Sequence, residues 1–450
     1  MYKRQLQGRE RRHARALLAR PPANDNAGLS DSGGIDPFGA EWSSAATDSR
    51  EAYPSPGGGF IVHYVPVSSD APSLADGGDP GTIPDYVEQV AARADSSEAV
   101  ENAALGWPQP KSDGVRGGGT DVTDIYLADI CEPGACVFGY AGPDDRSGTC
   151  RRPPFKCFGY LVLDNDYATD EFDYPDPDIP LSVTLAHEYN HILQFRLDAM
   201  QDGWMLESTA VWAEEQVFPA ANDWLFYVDA WARQPQEPIT KFGAGGGLRV
   251  YGTAVWNHWL DLGAGYGPDV VLDSWRSSRR RSPKDHGISA YNRGIRQHGG
   301  RGFSYEFGRF AAATAEWRVP NGDFPDQSEF HDVKRQGALR RGGAGKRFEL
   351  DHTTYRLLRV DPGSAEVLKL RVRAARGVHT AIALVGRDGP ATTGDVRTRV
   401  SYSRRGGKDS IRLANAPAFE RITAVVVNAD GRVRRGDYIR DNKRFRASVG

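Results

Sequence analysis

The apolar pattern of this chain changes its period near residue 346. Before that point the long patterned segments run at helical spacing. After it, Phe348 to Val360, Val367 to Val372, Thr380 to Val385, Arg397 to Ser401, Ser410 to Leu413 and Ile422 to Val427 are short β-type runs separated by turn residues. A segment patterned for a helix does not settle as a strand, so the switch constrains the fold class more than any other feature. The evenly spaced runs at the end are the signature of a β-sandwich. The expected fold is therefore α+β. Residues 1–52 read as a disordered basic and polar leader, 53–345 as a mixed domain, and 346–450 as a β-sandwich domain. The leader is rich in Arg, then in Ser, Gly, Asp and Asn, and has too little apolar bulk to order itself.

Within the mixed domain, Phe60 to Val65, Val122 to Ile130 and Phe158 to Leu163 read as strands. Tyr86, Val87, Val90 and Ala91 recur at helical spacing between Pro84 and about Leu105. Residues 181–198 and 204–218 are the two best helices. The stretch 224–335 is mainly helical, rich in Trp and Tyr, and broken by glycines at 243–247, 263–267 and 299–302.

With 450 residues there is room for two to three domains. Lys plus Arg is 56 and Asp plus Glu is 59, a net charge of −3, which argues against a general nucleic-acid binder. Arg276 to Lys284 and Arg340-Arg341 are then most simply solvated faces or linker. No apolar run approaches the ~18 residues of a membrane span.

Cys131, Cys136, Cys150 and Cys157 fall in one short segment, and the rest of the chain has none. The gap between the last two is too wide for a zinc ribbon, so two local disulfides are expected, with the pairing left open. Disulfides imply an oxidising compartment and hence a secreted protein. The basic N-terminus lacks the apolar stretch of a signal peptide, so the export signal is expected to be missing from this chain.

The chemistry concentrates at His187-Glu188-Tyr189-Asn190-His191, an HExxH match. Residues four apart on a helix share a face, so His187 and His191 can offer two imidazole nitrogens to one metal ion. Glu188 lies about 100° further round the helix, placed to act on water rather than to ligate. Leu181, Leu185, Ile192 and Phe195 supply a core-facing set, and Pro180 suits a helix start. A catalytic zinc needs a third protein ligand and one open position. Gln194 and Leu197 occupy the positions where a metzincin extension would need Gly and His. Asp198 would have to reach back along its own helix. Glu207, in Trp204-Met205-Leu206-Glu207, is better placed if the break at Asp202-Gly203 folds the next helix back antiparallel. Glu214, two turns along, could orient a ligand histidine or be a surface acid beside Glu215. Tyr251 and His258 are candidates for stabilising an oxyanion, and both could equally be packing residues.

On these residues the chain resembles the gluzincin metallopeptidases, and more narrowly the bacterial secreted metalloproteases of the MXAN type. Besides HExxH and Trp204 to Trp212, the matching stretches are Phe60 to Tyr64, Ile83 to Val87, Asp124 to Asp129, Val162 to Tyr167 and Tyr251-Gly252. Fifteen residues separate His191 from Glu207, fewer than in the best-known gluzincins, and Ser208 stands where Gly often follows the ligand Glu. The resemblance implies a zincin-like domain, with a small sheet, an active-site helix pair and a helical C-lobe. It implies Zn2+ on His187, His191 and Glu207, Glu188 as general base, and a protein or peptide substrate. It also implies that Phe158 to Leu163 is the sheet edge over the cleft, where an extended peptide could add as a strand. The expected activity is zinc-dependent endopeptidase cleavage; the competing reading is an inactive peptidase-like protein whose sandwich binds a surface or polymer. The acidic loop 164–178 is rich in carboxylates suited to Ca2+, although its spacing matches no EF-hand.

Overall fold

The computed structural model describes Trp42, Ala46 and residues 48–450, apart from 78–81, 115–119, 133–134, 145–149, 151, 243–246, 279–285 and 433–440. Most of the expected leader and most of the basic run Arg276 to Lys284 lie outside the described residues. The chain forms two compact units: residues 1–224 with 278–285, and 225–277 with 286–450. The helices expected to belong with the first domain thus share a unit with the C-terminal strands.

The first unit is built on a sheet of five strands. They are β1 (Glu51–Pro54), β2 (Phe60–Tyr64), β3 (Thr123–Ala128), β6 (Gly139–Asp144) and β7 (Phe158–Asp164), in the order β1-β2-β3-β7-β6. β2, β3 and β7 run parallel, and β1 and β6 flank them antiparallel. Every residue of β2 and β3 is buried, as expected for strands covered on both faces. The two residues each of β4 (Cys131–Glu132) and β5 (Ala135–Cys136) form a separate ribbon. Trp42, inside the stretch read as leader, is buried and donates its indole N–H to the Leu127 carbonyl at 2.8 Å.

The expected edge strand is corrected here. β7 is interior, and β6 covers its outer side. The segment Gly139-Tyr140-Ala141-Gly142-Pro143-Asp144 is rich in Gly and Pro, yet an edge strand tolerates Pro where the missing N–H would point away from the sheet. A Cβ at Gly142 would come within 2.4 Å of the Tyr160 ring on β7, so glycine is needed for the strands to close.

Three helices complete the parts of this unit that matter for function. α1 (Asp85–Glu98) continues into a π-helical turn at Ala99–Ala104. α2 (Asp178–Asp198) packs on β6, β7 and α1, and α3 (Gly203–Val217) packs back against α2. Both α2 and α3 are buried on almost every side, which explains why apolar residues are spread all round each helix. Arg93 grips Asp178 at the start of α2 with two bonds of 2.7 Å. Burial alone would raise the Asp178 carboxyl, but Arg93 outweighs it and holds the group below the usual carboxylate range. Cys150 and Cys157 form a disulfide just before β7, and Cys131 is also disulfide-bonded. The Cys157 N–H bonds to the Phe195 carbonyl of α2 at 3.0 Å, so this loop is tied to the helix.

The second unit contains helices α4 (Leu225–Arg233), α5 (Asp269–Arg276), α6 (Gly287–Gln297) and α7 (Phe303–Ala313), followed by two sheets. One sheet orders β13 (Val396–Ser403), β12 (Thr380–Arg387), β15 (Arg421–Asn428), β10 (Thr354–Asp361) and β8 (Ala338–Arg340). The other orders β14 (Gly407–Ala414), β11 (Val367–Ala374), β16 (Lys443–Val449) and β9 (Lys346–Leu350). Alternate residues of β11, Leu368, Leu370, Val372 and Ala374, meet Leu358, Ile382 and Leu384 in one core, as in a sandwich. The expected run Phe348 to Val360 is two strands, broken at Thr353, which holds φ 51°. β12 is buried along its whole length because α7 lies on its outer face, where a Cβ at Gly308 would stand 2.5 Å from the Ala381 Cβ.

Candidate metal centre

α2 brings His187 and His191 to one face with ring centroids 4.8 Å apart. α3 returns Glu207 to them. One Glu207 oxygen lies 3.3 Å from His187 Nε2 and 3.9 Å from His191 Nε2. One ligand atom from each of the three residues lies within 4.8 Å of the other two. Ligand atoms held ~2.1 Å from a tetrahedral ion stand roughly 3.4 Å apart, which the two Glu207 distances bracket, so this group could hold a metal ion. Two neutral imidazoles and one carboxylate suit a divalent ion of the zinc type.

The far nitrogens of both histidines are engaged. His187 Nδ1 is 2.6 Å from Glu214 Oε1, so its N–H is donated to that carboxylate and Nε2 turns its lone pair to the site. Glu214 thus takes the orienting position two turns along from Glu207. His191 Nδ1 donates to Gln194 Oε1 at 2.8 Å. Gln194 in turn donates to Asn190 Oδ1 at 2.6 Å and to the Leu206 carbonyl at 3.1 Å. Asn190 donates to Glu101 Oε2 at 2.7 Å. This chain starts in the π-helical turn after α1, crosses α2 and ends on the His191 imidazole. Burial pushes the Glu101 carboxyl well above its usual range, while the Asn190 bond pulls it down. Sequence reasoning missed Glu101, Asn190 and Gln194. The available signal for Asn190 and Gln194 was polar residues among the large apolar ones of a helix long enough to be buried, because buried polar groups need partners.

Glu188 is 3% exposed and faces β6, where its Oε2 accepts the Ala141 backbone N–H at 3.0 Å. Ala141 is paired opposite Leu161, and this N–H points away from β7. The carboxylate expected to act as base therefore sits on the outer edge of the sheet.

Asp198, Tyr251 and His258 each have neighbours of their own. Asp198, at the end of α2, accepts the Met200 N–H at 3.2 Å. Tyr251 belongs to the second unit, where its ring packs 5.3 Å from that of Tyr227. Gly252 beside it allows close backbone approach, since a Cβ there would stand 2.3 Å from the Tyr227 carbonyl. His258, also in the second unit, is fully buried, and burial depresses its pKa to about 3.

The acidic loop contains a second group, Asp164, Asp166 and Glu171, whose carboxylate oxygens also fall within 4.8 Å of one another. Asp164 has no exposed surface. Its Oδ1 accepts the Tyr167 and Asp166 N–H groups, and its Oδ2 has no hydrogen-bond partner among the described residues. Burial, with the Asp166 and Glu171 charges adding to it, pushes this carboxyl up to about 7 against those backbone bonds.

No family model matches the chain, and no curated protein matches it either.

Proposed function

We propose that this chain is a zinc-dependent endopeptidase of the gluzincin type, with a zincin-like first unit, and that it acts outside the cell. The observation that carries the reading is the convergence of His187, His191 and Glu207 from two successive helices, with Glu188 beside them on a sheet edge. His187, His191 and Glu207 would hold the zinc ion, which would lower the pKa of a bound water to about 7 and polarise a carbonyl. Glu188 takes the proton from the attacking water and passes it to the leaving amine. The Ala141 N–H holds the carboxylate in place for both transfers. A substrate peptide adds as an extended strand beside β6, which brings its scissile bond to Glu188. Glu214 and the Gln194 chain keep the two imidazoles turned inward. Asp164, Asp166 and Glu171 are the proposed Ca2+ ligands, supported by the partnerless buried oxygen of Asp164.

Elemental analysis combined with casein digestion, with and without chelator, tests the reading. One zinc per chain and chelator-sensitive digestion support it. Tyr251→Phe examines the expected oxyanion role: slower turnover with unchanged zinc content supports it. The burial of the site favours one second reading, because His187 is only 1% and Glu207 only 3% exposed. A protein that holds zinc tightly and digests nothing is then an inactive, metal-stabilised binding protein.

A further inference from the structure

The second unit contains a cavity of about 460 Å3 between α6, the start of α7 and the ends of β12 and β13. Five arginines line it: Arg293, Arg296, Arg301, Arg404 and Arg432. Asp430 neutralises one of them through Arg432 Nε at 2.7 Å. Arg293 donates to a neutral group, the Ser277 carbonyl, at 2.9 and 2.7 Å. Arg296, Arg301 and Arg404 have no carboxylate partner among the described residues. Arg301 lies 3.9 Å above the Tyr305 ring and 6.0 Å from that of Tyr402, which holds its guanidinium at the rim.

The field of these charges is felt inside the cavity. Burial lowers the pKa of the lining His379, and Arg432 and Arg404 lower it further against Asp430. Gly302, at φ 97°, lies close against two lining residues: a Cβ there would stand 2.4 Å from Asn292 Oδ1 and 3.1 Å from Arg296 Nε. Asn292 Oδ1 already accepts the Phe303 N–H at 3.1 Å, which leaves the amide's donors for something else. A fold gains no stability from gathering like charges around a cavity, so the arrangement asks for an anion.

We infer that this cavity binds a sugar-sized ligand carrying a phosphate or sulfate group. Planar guanidinium forks match a tetrahedral oxyanion through paired hydrogen bonds, which bare hydration does not replace. The volume lies within the range of small-ligand sites and is too large for the oxyanion alone. Tyr402 provides a flat wall for the body of the ligand, while Asn292 and Ser304 provide polar groups for its hydroxyls. This inference does not depend on the peptidase reading, because every residue it uses belongs to the second unit.

Isothermal titration of the full chain tests it with glucose 6-phosphate, glucose 6-sulfate, inorganic phosphate and unmodified glucose as probes. The expected result is one saturable site for a sugar ester, at least about tenfold tighter than for inorganic phosphate, with no binding of glucose. The two esters separate phosphate from sulfate preference. Arg296→Ala and Arg404→Ala should each weaken binding about tenfold or more, as loss of a charge-assisted hydrogen bond does. Arg399→Ala, on the exposed face of β13, should leave it unchanged. All three positions are exposed, and thermal midpoints verify that the variants fold. Absence of saturable ester binding at millimolar concentration overturns the inference. So does inorganic phosphate binding as tightly as the esters, or wild-type affinity in both cavity variants.

Discussion

Each unit of this protein buries carboxylates, and the two units neutralise them differently. In the second, Glu316 is 6% exposed and meets Arg387 at 2.8 Å and Arg335 at 2.9 Å. Those partners carry permanent charge, so the cluster is complete as folded. In the first, Glu207 and Glu214 meet the two nitrogens of the His187 imidazole, and Glu188 meets a backbone amide. Imidazole is neutral or charged according to its surroundings and is a common metal ligand. One buried acid is therefore locked by arginine for structure. The others are held by groups that leave room for a divalent cation, and the difference separates a structural ion pair from a candidate site.

The largest effect that would break this comparison is on activity. Glu188→Gln should retain zinc and lose proteolysis by about a hundredfold to ten-thousandfold, the usual contribution of a general base. Digestion at the wild-type rate would remove Glu188 from the proposed role. His187→Ala and Glu207→Ala should lose both metal and activity, measured by elemental analysis after dialysis; unchanged zinc in Glu207→Ala would move the third ligand elsewhere.

Next in size is the structural cluster. Glu316→Ala leaves the buried Arg387 without its main partner and should cost about 3–5 kcal/mol in chemical denaturation. A change below about 1 kcal/mol would mean that Glu316 is no lock. Glu214→Gln should sharpen the contrast at lower cost. It keeps an acceptor for the His187 N–H but removes the charge, and zinc affinity should fall by about ten- to a hundredfold. An unaltered affinity in competition with a chromophoric chelator would show that Glu214 orients nothing.

The smallest effect lies at the half-exposed pair Arg93–Asp178. The folded-state pKa of Asp178 is depressed, so its stabilisation is present above the unfolded value of about 4 and fades as pH falls through the folded value. Solvent screening limits this to about 1 kcal/mol or less. Arg93→Ala should flatten the acid-side slope of stability by that amount, and an unchanged slope would count against the pair.

How much could be read in advance differs from element to element. The HExxH helix was legible because its apolar residues and its histidines each obey helical spacing. Glu207 was legible once the break at Asp202-Gly203 was read as a reversal. β6 was hidden because Gly139, Gly142 and Pro143 are loop residues by propensity, and only the need to fit against Tyr160 makes them a strand. Glu101 was hidden because a π-helical turn shifts its side chain off the spacing that α1 follows. The split of Phe348 to Val360 at Thr353 was hidden because a β-branched Thr rarely takes a left-handed conformation.

What the sequence by itself determined are the local facts: which segments are helices or strands, where their period changes, and which two imidazoles share a helical face. These follow from spacing along one element and need no partner. The tertiary structure alone decided which strand forms the edge beside Glu188, which acids orient the histidines, and which helices join the sandwich. Those outcomes depend on residues far apart in the chain competing for the same buried space and the same hydrogen bonds, and no local pattern records who wins.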